Sequence, residues 1–317
     1  MRIVFMGTPD FSVSALKNLI QNETVVAVYT QPDKPVGRGL QVQPSPVKKV
    51  ALEHSIPVFT PEKISTDEEV ERLKSFQADF FVVVAYGQIL KPAVIAVPNL
   101  GCINIHSSLL PRWRGAAPIH WALLSGDAET GVTTMMIAPK LDAGDMLLQE
   151  KIKIQAEDTS STLLIKLADL GGNLILTTLR GIVSGTVKRV QQDESKVTYA
   201  KKLTKEMEEL DWSGSATSVD LQVRALNPWP GTRIESTIGM KIKIKSGKPS
   251  LELRTAKAGQ LISHPNGLFL TCAQGCYWIS ELQEEGKKPV SSADFLNGLK
   301  GRGVTLPLDL VLKASKT

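Results

Sequence analysis

The sequence predicts an α/β fold in its first part and a small all-β fold in its second. Over residues 1–185, apolar strand-like runs alternate with segments of helical periodicity, which is typical of a parallel sheet flanked by helices. Beyond residue 230, short strands separated by Gly, Pro and Asn predominate, which indicates a small barrel or sandwich. The length of 317 residues is compatible with two domains.

Local patterns predict the individual elements of the first part. Asp10 is expected to N-cap a helix whose apolar face carries Phe11, Ala15, Leu16 and Leu19. The other predicted helices are Val47–His54, introduced by Ser45-Pro46, and a long apolar helix Leu163–Val183 interrupted by Gly171-Gly172. The predicted strands are Arg2–Met6, Val25–Tyr29, Val58–Phe59, Phe80–Val84, Cys102–Ile105 and Val132–Ile137.

The second part differs from the first in charge as well as in pattern. Its predicted strands are Arg233–Thr237, Met240–Lys245, Leu251–Ala256, Leu268–Cys272 and Tyr277–Leu282. Residues 1–200 carry 20 Lys+Arg and 20 Asp+Glu, whereas residues 201–317 carry 17 and 12, which accounts for the whole net charge of +5. This asymmetry favours an enzyme body with an appendage that faces a polyanion, and an ordinary solvated basic surface is the alternative.

Several function classes lack their sequence signatures. The turn after the first strand is Gly7-Thr-Pro-Asp, so neither a dinucleotide fingerprint nor a phosphate-binding P-loop is present, and no G-x-S-x-G elbow occurs. Cys272 and Cys276 have no second pair that would complete a zinc site. The apolar run Phe80–Tyr86 is far shorter than the ~20 residues of a membrane span, and no signal peptide is evident. We therefore expect a cytoplasmic protein without membrane association.

The stretch Gly101–Gly115 concentrates side chains suited to chemistry. Asn104 and His106 lie two residues apart on a predicted strand, so both project from one face near its carboxyl end, where open α/β sheets bind ligands. An amide and an imidazole side by side can donate hydrogen bonds to an oxyanion. The alternative is a pair of buried polar side chains satisfied by the backbone. A turn with carboxylates at Asp142 and Asp145 follows, and a carboxylate near His106 would orient the imidazole, although a simple Asx turn is also compatible.

One connection is longer than α/β units normally have. Residues 31–45 contain three prolines and two glycines, with Lys34 and Arg38 near the middle. Such loops are typically functional or unstructured. The sequence therefore predicts either a binding loop or an unstructured insertion.

Seven segments together resemble a known family. They are Gly7–Phe11, Gln31–Gly39 with Pro44–Pro46, Ala85–Gly87, Cys102–Gly115, Leu141–Asp145 and Asn227–Gly231. Along essentially its full length the sequence resembles the methionyl-tRNA formyltransferases, within the folate-dependent formyltransferase superfamily. The Asn-x-His and Asp-x-Gly-Asp motifs are shared by the superfamily, whereas the long loop, the Asn-Pro-Trp-Pro block and the basic second part resemble the tRNA-specific members.

The resemblance implies a fold, an activity and a set of residues. It implies a Rossmann-like parallel-sheet domain at 1–189, a linker at 190–206 and an OB-like β-barrel at 207–317. The implied reaction transfers the formyl group of 10-formyltetrahydrofolate to initiator methionyl-tRNA, without a metal. Asn104, His106 and Asp142 match the catalytic residues of the family. The implied folate-lining residues are Ser108, Leu109, Leu110, Pro111, Ile89, Leu90, Gly144 and Asp145.

The expected tRNA contacts combine the long loop with the basic part. Lys34 and Arg38 could reach the acceptor stem, and Lys241, Lys243 and Lys245 alternate with Ile242 and Ile244, which places three ammonium groups on one face of a strand. A half-buried strand with a solvated lysine face is the alternative. We expect a monomer.

Three other functions compete with this interpretation. They are a formyltransferase for a small amine such as glycinamide ribotide or an amino sugar nucleotide, a hydrolase that releases formate from the same folate, and a non-catalytic nucleic-acid-binding protein. The last would leave Asn104, His106 and Asp142 without a role.

Overall fold

A computed structural model describes residues 1–36, 41–250 and 257–311. Within these ranges the helices are α1 (Val13–Asn22), α2 (Pro46–Glu53), α3 (Asp67–Ser75), α4 (Pro92–Ile95), α5 (Pro118–Leu124), α6 (Ser160–Val183), α7 (Ala216–Leu226) and α8 (Ser292–Gly301). The strands are β1 (Arg2–Gly7), β2 (Thr24–Tyr29), β3 (Lys34–Val36), β4 (Gln41–Gln43), β5 (Val58–Phe59), β6 (Phe80–Val84), β7 (Gly101–His106), β8 (Arg114–Gly115), β9 (Glu129–Met136), β10 (Met146–Lys153), β11 (Tyr199–Ala200), β12 (Thr232–Glu235), β13 (Lys241–Ser250), β14 (Gln260–His264), β15 (Gly267–Thr271), β16 (Cys276–Glu284), β17 (Val290–Ser291) and β18 (Leu308–Asp309).

The chain divides into two compact units, and each has its own sheet. Unit 1 comprises residues 1–118, 129–153 and 162–200, and unit 2 comprises residues 119–128, 154–161 and 201–317. The predicted boundaries at residues 189 and 206 stay a prediction, since the two compact units are interleaved along the chain.

The sheet of unit 1 is mostly parallel, and the α/β prediction is confirmed. Its strand order is β10-β9-β7-β6-β1-β2-β5, with parallel pairing from β7 through β5. The strand β9 runs antiparallel to β7, and β10 antiparallel to β9. The sequence did not reveal β10, because this edge strand carries charged and polar residues on its exposed side. As a result, β7 lies inside the sheet between β6 and β9.

Two details of the predicted helices are wrong. Asp10 does not cap a helix: it begins a short 3₁₀ turn, Asp10–Ser12, and α1 follows at Val13 without a side-chain cap. The predicted apolar face is nevertheless buried as expected. The helix α6 is continuous through Gly171 and Gly172. The absence of a side chain at Gly171 lets α6 pack closely against β7, because a Cβ there would lie 2.8 Å from Cγ2 of Ile105.

The sheet of unit 2 is antiparallel and curls until its edges meet. Its order is β12-β13-β16-β15-β14-β18, and Ser236 beyond β12 pairs with Leu310 beyond β18. The predicted small β-barrel is therefore confirmed. The sequence analysis missed β14, β17, β18, α7 and α8. The predicted strand Leu251–Ala256 lies outside the described residues.

Within the described part of the chain, α6 is the helix long and apolar enough to span a membrane by length and composition. Half of the most apolar 18-residue stretch of this helix is buried inside the protein. The buried side chains include Leu163, Leu167, Ile175 and Leu179.

Candidate active site

The predicted reactive side chains begin on β7 inside the sheet of unit 1. Asn104 aligns with Val83 of β6 and Met135 of β9, and His106 is the last residue of β7. Both side chains project from the same face, as predicted, because they are two residues apart. Asn104 is half-buried, and among the described residues its side chain has no hydrogen-bond partner. Its amide is therefore available to a bound molecule.

The imidazole of His106 is buried and held by a backbone carbonyl. Its Nε2 lies 2.8 Å from the carbonyl oxygen of Trp113, and the side chain is 6% exposed. A carbonyl oxygen only accepts hydrogen bonds, so Nε2 carries a proton. In the neutral ring Nδ1 is therefore an acceptor, and the second proton of a charged ring resides on Nδ1.

Asp142 faces this Nδ1 from the loop between β9 and β10. Its Oδ2 lies 3.7 Å from Nδ1 and accepts a hydrogen bond of 2.9 Å from the backbone N–H of Gly115. The separation of 3.7 Å is too long for a direct hydrogen bond. Asp142 has φ +47°, in the left-handed region, where a residue with a side chain is disfavoured by about 1–3 kcal/mol. The structure thus brings two predicted catalytic side chains together, with a carboxylate beside one imidazole nitrogen.

The segment after β7 is fixed by hydrogen bonds to the neighbouring strands. Ser108 is buried, and its Oγ donates to the carbonyl of Arg112 at 2.6 Å. The hydroxyl of Thr133 on β9 donates to the Ser108 carbonyl and accepts from the Leu110 N–H. Gln149 on β10 donates to the Leu110 carbonyl at 2.8 Å. These bonds give a defined wall immediately beyond His106.

The predicted folate-lining residues lie at the same edge of the sheet. Leu110 and Leu90 are buried, Leu109 and Pro111 are half-buried, and Ile89 is 85% exposed. The residues Ile89 and Leu90 follow β6, which is parallel to β7, so they end at the edge that carries His106.

The remaining predicted folate-lining residues lie on the Asp142 loop. Gly144 is buried and Asp145 half-buried. A Cβ at Gly144 would lie 1.9 Å from the carbonyl oxygen of Met136, so this loop position requires glycine.

Sequence reasoning missed the backbone groups that orient the side chains. The carbonyl of Trp113 and the N–H of Gly115 lie within the stretch Gly101–Gly115. Every residue other than proline has both backbone groups, so the sequence does not indicate which of them bind a catalytic side chain. A segment of the predicted linker also contributes: the hydroxyl of Thr198 accepts from the Trp113 N–H at 2.9 Å.

The predicted tRNA-binding lysines lie on two separate elements. Lys34 is exposed on β3, which pairs with β4 inside the long loop. Arg38 lies outside the described residues. On β13, Ile242 and Ile244 are fully buried, and the alternating residues Lys241, Lys243 and Lys245 are half-buried.

The ion pairs of these lysines differ. Lys241 is 3.7 Å from Glu285. Within residues 1–36, 41–250 and 257–311, neither Lys243 nor Lys245 has an ion pair.

Two other features of the molecule do not form part of this site. Among the described residues, no group of three or more His, Cys, Asp and Glu side chains could hold a metal ion, and the three cysteines are buried and free. A cavity of about 880 Å³ in unit 2 has Glu206, Glu208 and Asp211 in its lining. Its charged lining is mixed, because Lys205 and Arg233 also contribute to it.

The fold and the site together define an α/β enzyme with an appended β-barrel. Residues 1–179 match the family "Formyl transferase", and residues 202–300 match "Formyl transferase, C-terminal domain". The chain therefore belongs to the formyl transferase family.

Curated relatives match nearly the whole chain. The methionyl-tRNA formyltransferase of Methylococcus capsulatus is 47% identical over 94% of this chain and 96% of its own length. The protein of the same name from Hydrogenovibrio crunogenus is 46% identical over 96% of this chain and 98% of its own length.

Solved structures share the fold at low identity. WlaRD, a sugar 3N-formyl transferase crystallised in the presence of dTDP and 5-N-formyl-THF, has a TM-score of 0.66 at 20% identity over 91% of this chain and 99% of its own. HypX from Aquifex aeolicus in complex with tetrahydrofolic acid has a TM-score of 0.62 at 17% identity over 99% of this chain and 51% of its own.

Proposed function

We propose that the protein transfers the formyl group of 10-formyltetrahydrofolate to the free amino group of methionine esterified to initiator tRNA. The observation that carries the proposal is the approach of the Asp142 carboxylate to within 3.7 Å of Nδ1 of His106, with Asn104 on the same face of β7 as His106. The relatives that match nearly the whole chain bear the name of this activity. The product, N-formylmethionyl-tRNA, serves translation initiation.

The chemistry requires stabilisation of an oxyanion more than a strong base. An α-amino group titrates near 7.7–8.0, and the neighbouring ester lowers this, so forming the neutral nucleophile at pH 7 costs about 1 kcal/mol or less. Attack on the formyl carbon produces a tetrahedral oxyanion. The loss of one well-placed hydrogen-bond donor to such an oxyanion typically costs about 2.7–4 kcal/mol.

We assign Asn104 and His106 to the oxyanion. The Asn104 amide donates one hydrogen bond. Because Nε2 of His106 is committed to the Trp113 carbonyl, His106 donates through Nδ1 in its charged form, beside Asp142. As the new C–N bond forms and the bond from the formyl carbon to the folate nitrogen breaks, the amine proton passes by way of Asp142 and His106 to that nitrogen. No net proton is gained or lost by the protein.

The substrates would approach from the carboxyl edge of the sheet. Ser108–Pro111, Ile89-Leu90 and Gly144-Asp145 would line the folate, with the exposed Ile89 side chain as an apolar contact for its flat ring. Lys241, Lys243 and Lys245 would contact tRNA phosphates, and Lys34 and Arg38 would contact the acceptor stem. We further propose that the protein acts as a cytoplasmic monomer, which light scattering of the purified chain would test.

The test is formylation of initiator and elongator Met-tRNA with 10-formyltetrahydrofolate as donor. Formylation of the initiator species supports the proposal. Release of formate without tRNA at a comparable rate would instead identify a hydrolase. Transfer to an amino sugar nucleotide or glycinamide ribotide, with no transfer to Met-tRNA, would identify a small-amine formyltransferase.

A further inference from the structure

The loop that carries Asp142 lies beside a later segment of unit 1, residues 190–194, and the two are joined at regular intervals. Met146 and Val190 exchange two backbone hydrogen bonds of 2.8 Å. The Nζ of Lys140 lies 3.1 Å from Glu194. Between these two contacts, Gln192 contacts the loop itself, so the segment runs antiparallel to residues 140–146 along their whole length.

The side chain of Gln192 is buried and uses all of its hydrogen-bonding groups. Its Nε2 donates to the carbonyl of Asp142 and to the carbonyl of Gly144, each at 2.8 Å. Its Oε1 accepts from Nε of Arg114 at 2.9 Å. A guanidinium only donates, so the amide of Gln192 has one possible orientation, with its N–H groups facing the loop.

Arg114 is itself fixed. It is fully buried, and its Nη2 lies 2.7 Å from Glu194. The next residue, Gly115, donates its N–H to the Asp142 carboxylate. Residues 114–115 therefore hold Asp142 twice, directly at its side chain and through Gln192 at its backbone.

We infer that Gln192 is a positioning residue for Asp142: it holds the loop backbone so that the carboxylate stays beside Nδ1 of His106. Asp142 has φ +47°, in the left-handed region that is disfavoured for residues other than glycine, so contacts that hold the loop backbone favour this conformation. The carbonyl bonds from Gln192 supply that support on one side of the residue and the Gly115 N–H on the other. This inference rests on the proposed formyl transfer for its effect on rate, but not for its effect on the loop.

The decisive variant is Gln192→Glu in the full-length protein. The carboxylate still accepts from Arg114, but it cannot donate to the two carbonyls and repels them. We expect kcat for formylation of initiator Met-tRNA to fall at least 10-fold, with KM for Met-tRNA within about two-fold of wild type. Gln192→Met removes the hydrogen bonds without adding charge and should lower kcat to a similar extent.

A substrate-free measurement separates positioning from general stability. Amide hydrogen exchange at Gly115 reports its bond to Asp142 and should become at least 10-fold faster in both variants. The neighbouring amide of Ala116, bound to the Ala200 carbonyl at 2.9 Å, should exchange at its wild-type rate. The matched control is Gln222→Glu in unit 2, where the amide also donates to a carbonyl, that of Glu209, and accepts from Asp211. This control should change neither kcat nor the rate of amide hydrogen exchange at Gly115.

Three results would overturn the inference. They are a kcat within two-fold of wild type in Gln192→Glu, a loss of kcat with unchanged exchange at Gly115, and equal acceleration at Gly115 and Ala116. If wild-type protein does not formylate Met-tRNA, the proposed function fails, and the exchange at Gly115 still decides the role of Gln192.

Discussion

Gly171 of α6 packs directly against Ile105 of β7. A Cβ at Gly171 would lie 2.8 Å from Cγ2 of Ile105 and 3.4 Å from Cγ1 of Val132. Ile105 lies between Asn104 and His106 and points to the opposite face of the sheet. The long helix therefore contacts the back of the strand whose front carries the proposed oxyanion donors.

Gly171→Ala is expected to destabilise the protein although alanine favours helices. The higher helix propensity of alanine stabilises the protein by about 1 kcal/mol, whereas overpacking destabilises it by about 1–3 kcal/mol. The free energy of unfolding should therefore fall by up to about 2 kcal/mol. Thermal unfolding would show a lower Tm. The matched control is Gly298→Ala in α8, where a Cβ meets nothing within 4 Å and Tm should rise. Equal shifts in the two variants would contradict the packing argument.

Asn104→Asp is expected to lower kcat by about 10²–10³, because the carboxylate keeps the shape of the amide but cannot donate to the oxyanion. His106→Ala should lower kcat by 10²-fold or more. Steady-state formylation kinetics would measure both, with KM for tRNA nearly unchanged. His54→Ala, at an exposed position, is the control. A normal kcat in Asn104→Asp would remove Asn104 from the mechanism.

Replacing Lys243 and Lys245 with Gln should weaken tRNA binding in a salt-dependent way. Each contact with a duplex phosphate contributes about −0.9 to the slope of log K against log salt concentration. The slope of the double variant should therefore be less negative than that of wild type by about 1.8. Binding titrations at several salt concentrations would measure it. Lys300→Gln, in α8 of the same unit, should leave the slope as it is. An unchanged slope in the double variant would show that this lysine face is merely solvated.

The protein is expected to lose stability as the pH rises above about 9. Burial raises the pKa of the Cys272 thiol to about 12 and that of Cys102 higher still. In the unfolded chain these thiols ionise near their ordinary pKa, about 8.5, so above this pH the unfolded state binds fewer protons than the folded one and becomes more favourable. Tm measured from pH 7 to pH 10 should fall at the upper end. The fall should be smaller in Cys272→Ala than in wild type when each is compared with its own value at pH 7.

Features set by local periodicity could be predicted from the sequence. The alternation of Ile242 and Ile244 with lysines predicted which face of β13 is buried, and the Asn-x-His spacing predicted a shared face for Asn104 and His106. Periodicity was insufficient for β10, since an exposed edge strand has a polar sequence.

Features set by tertiary packing could not be predicted in this way. Gly171 and Gly172 suggested an interrupted helix because glycine is a poor helix former, yet the close approach of α6 to the sheet requires them. The imidazole of His106 bonds to the backbone carbonyl of Trp113, and Gln192 bonds to backbone carbonyls 50 and 48 positions earlier in the chain. Backbone acceptors have no signature in a sequence.

The contacts between residues 140–146 and 190–194 have a consequence for the newly made chain. Asn104, His106 and Asp142 are synthesised first, and Gln192, which holds the Asp142 backbone, follows 50 positions later. The bonds of the Trp113 and Arg114 backbone to Thr198 come later again. A nascent chain that ends at residue 179 therefore contains all three proposed catalytic side chains and the Gly115 N–H that bonds to Asp142. The bonds from Gln192 to the backbone of the Asp142 loop form only after residue 192 has left the ribosome.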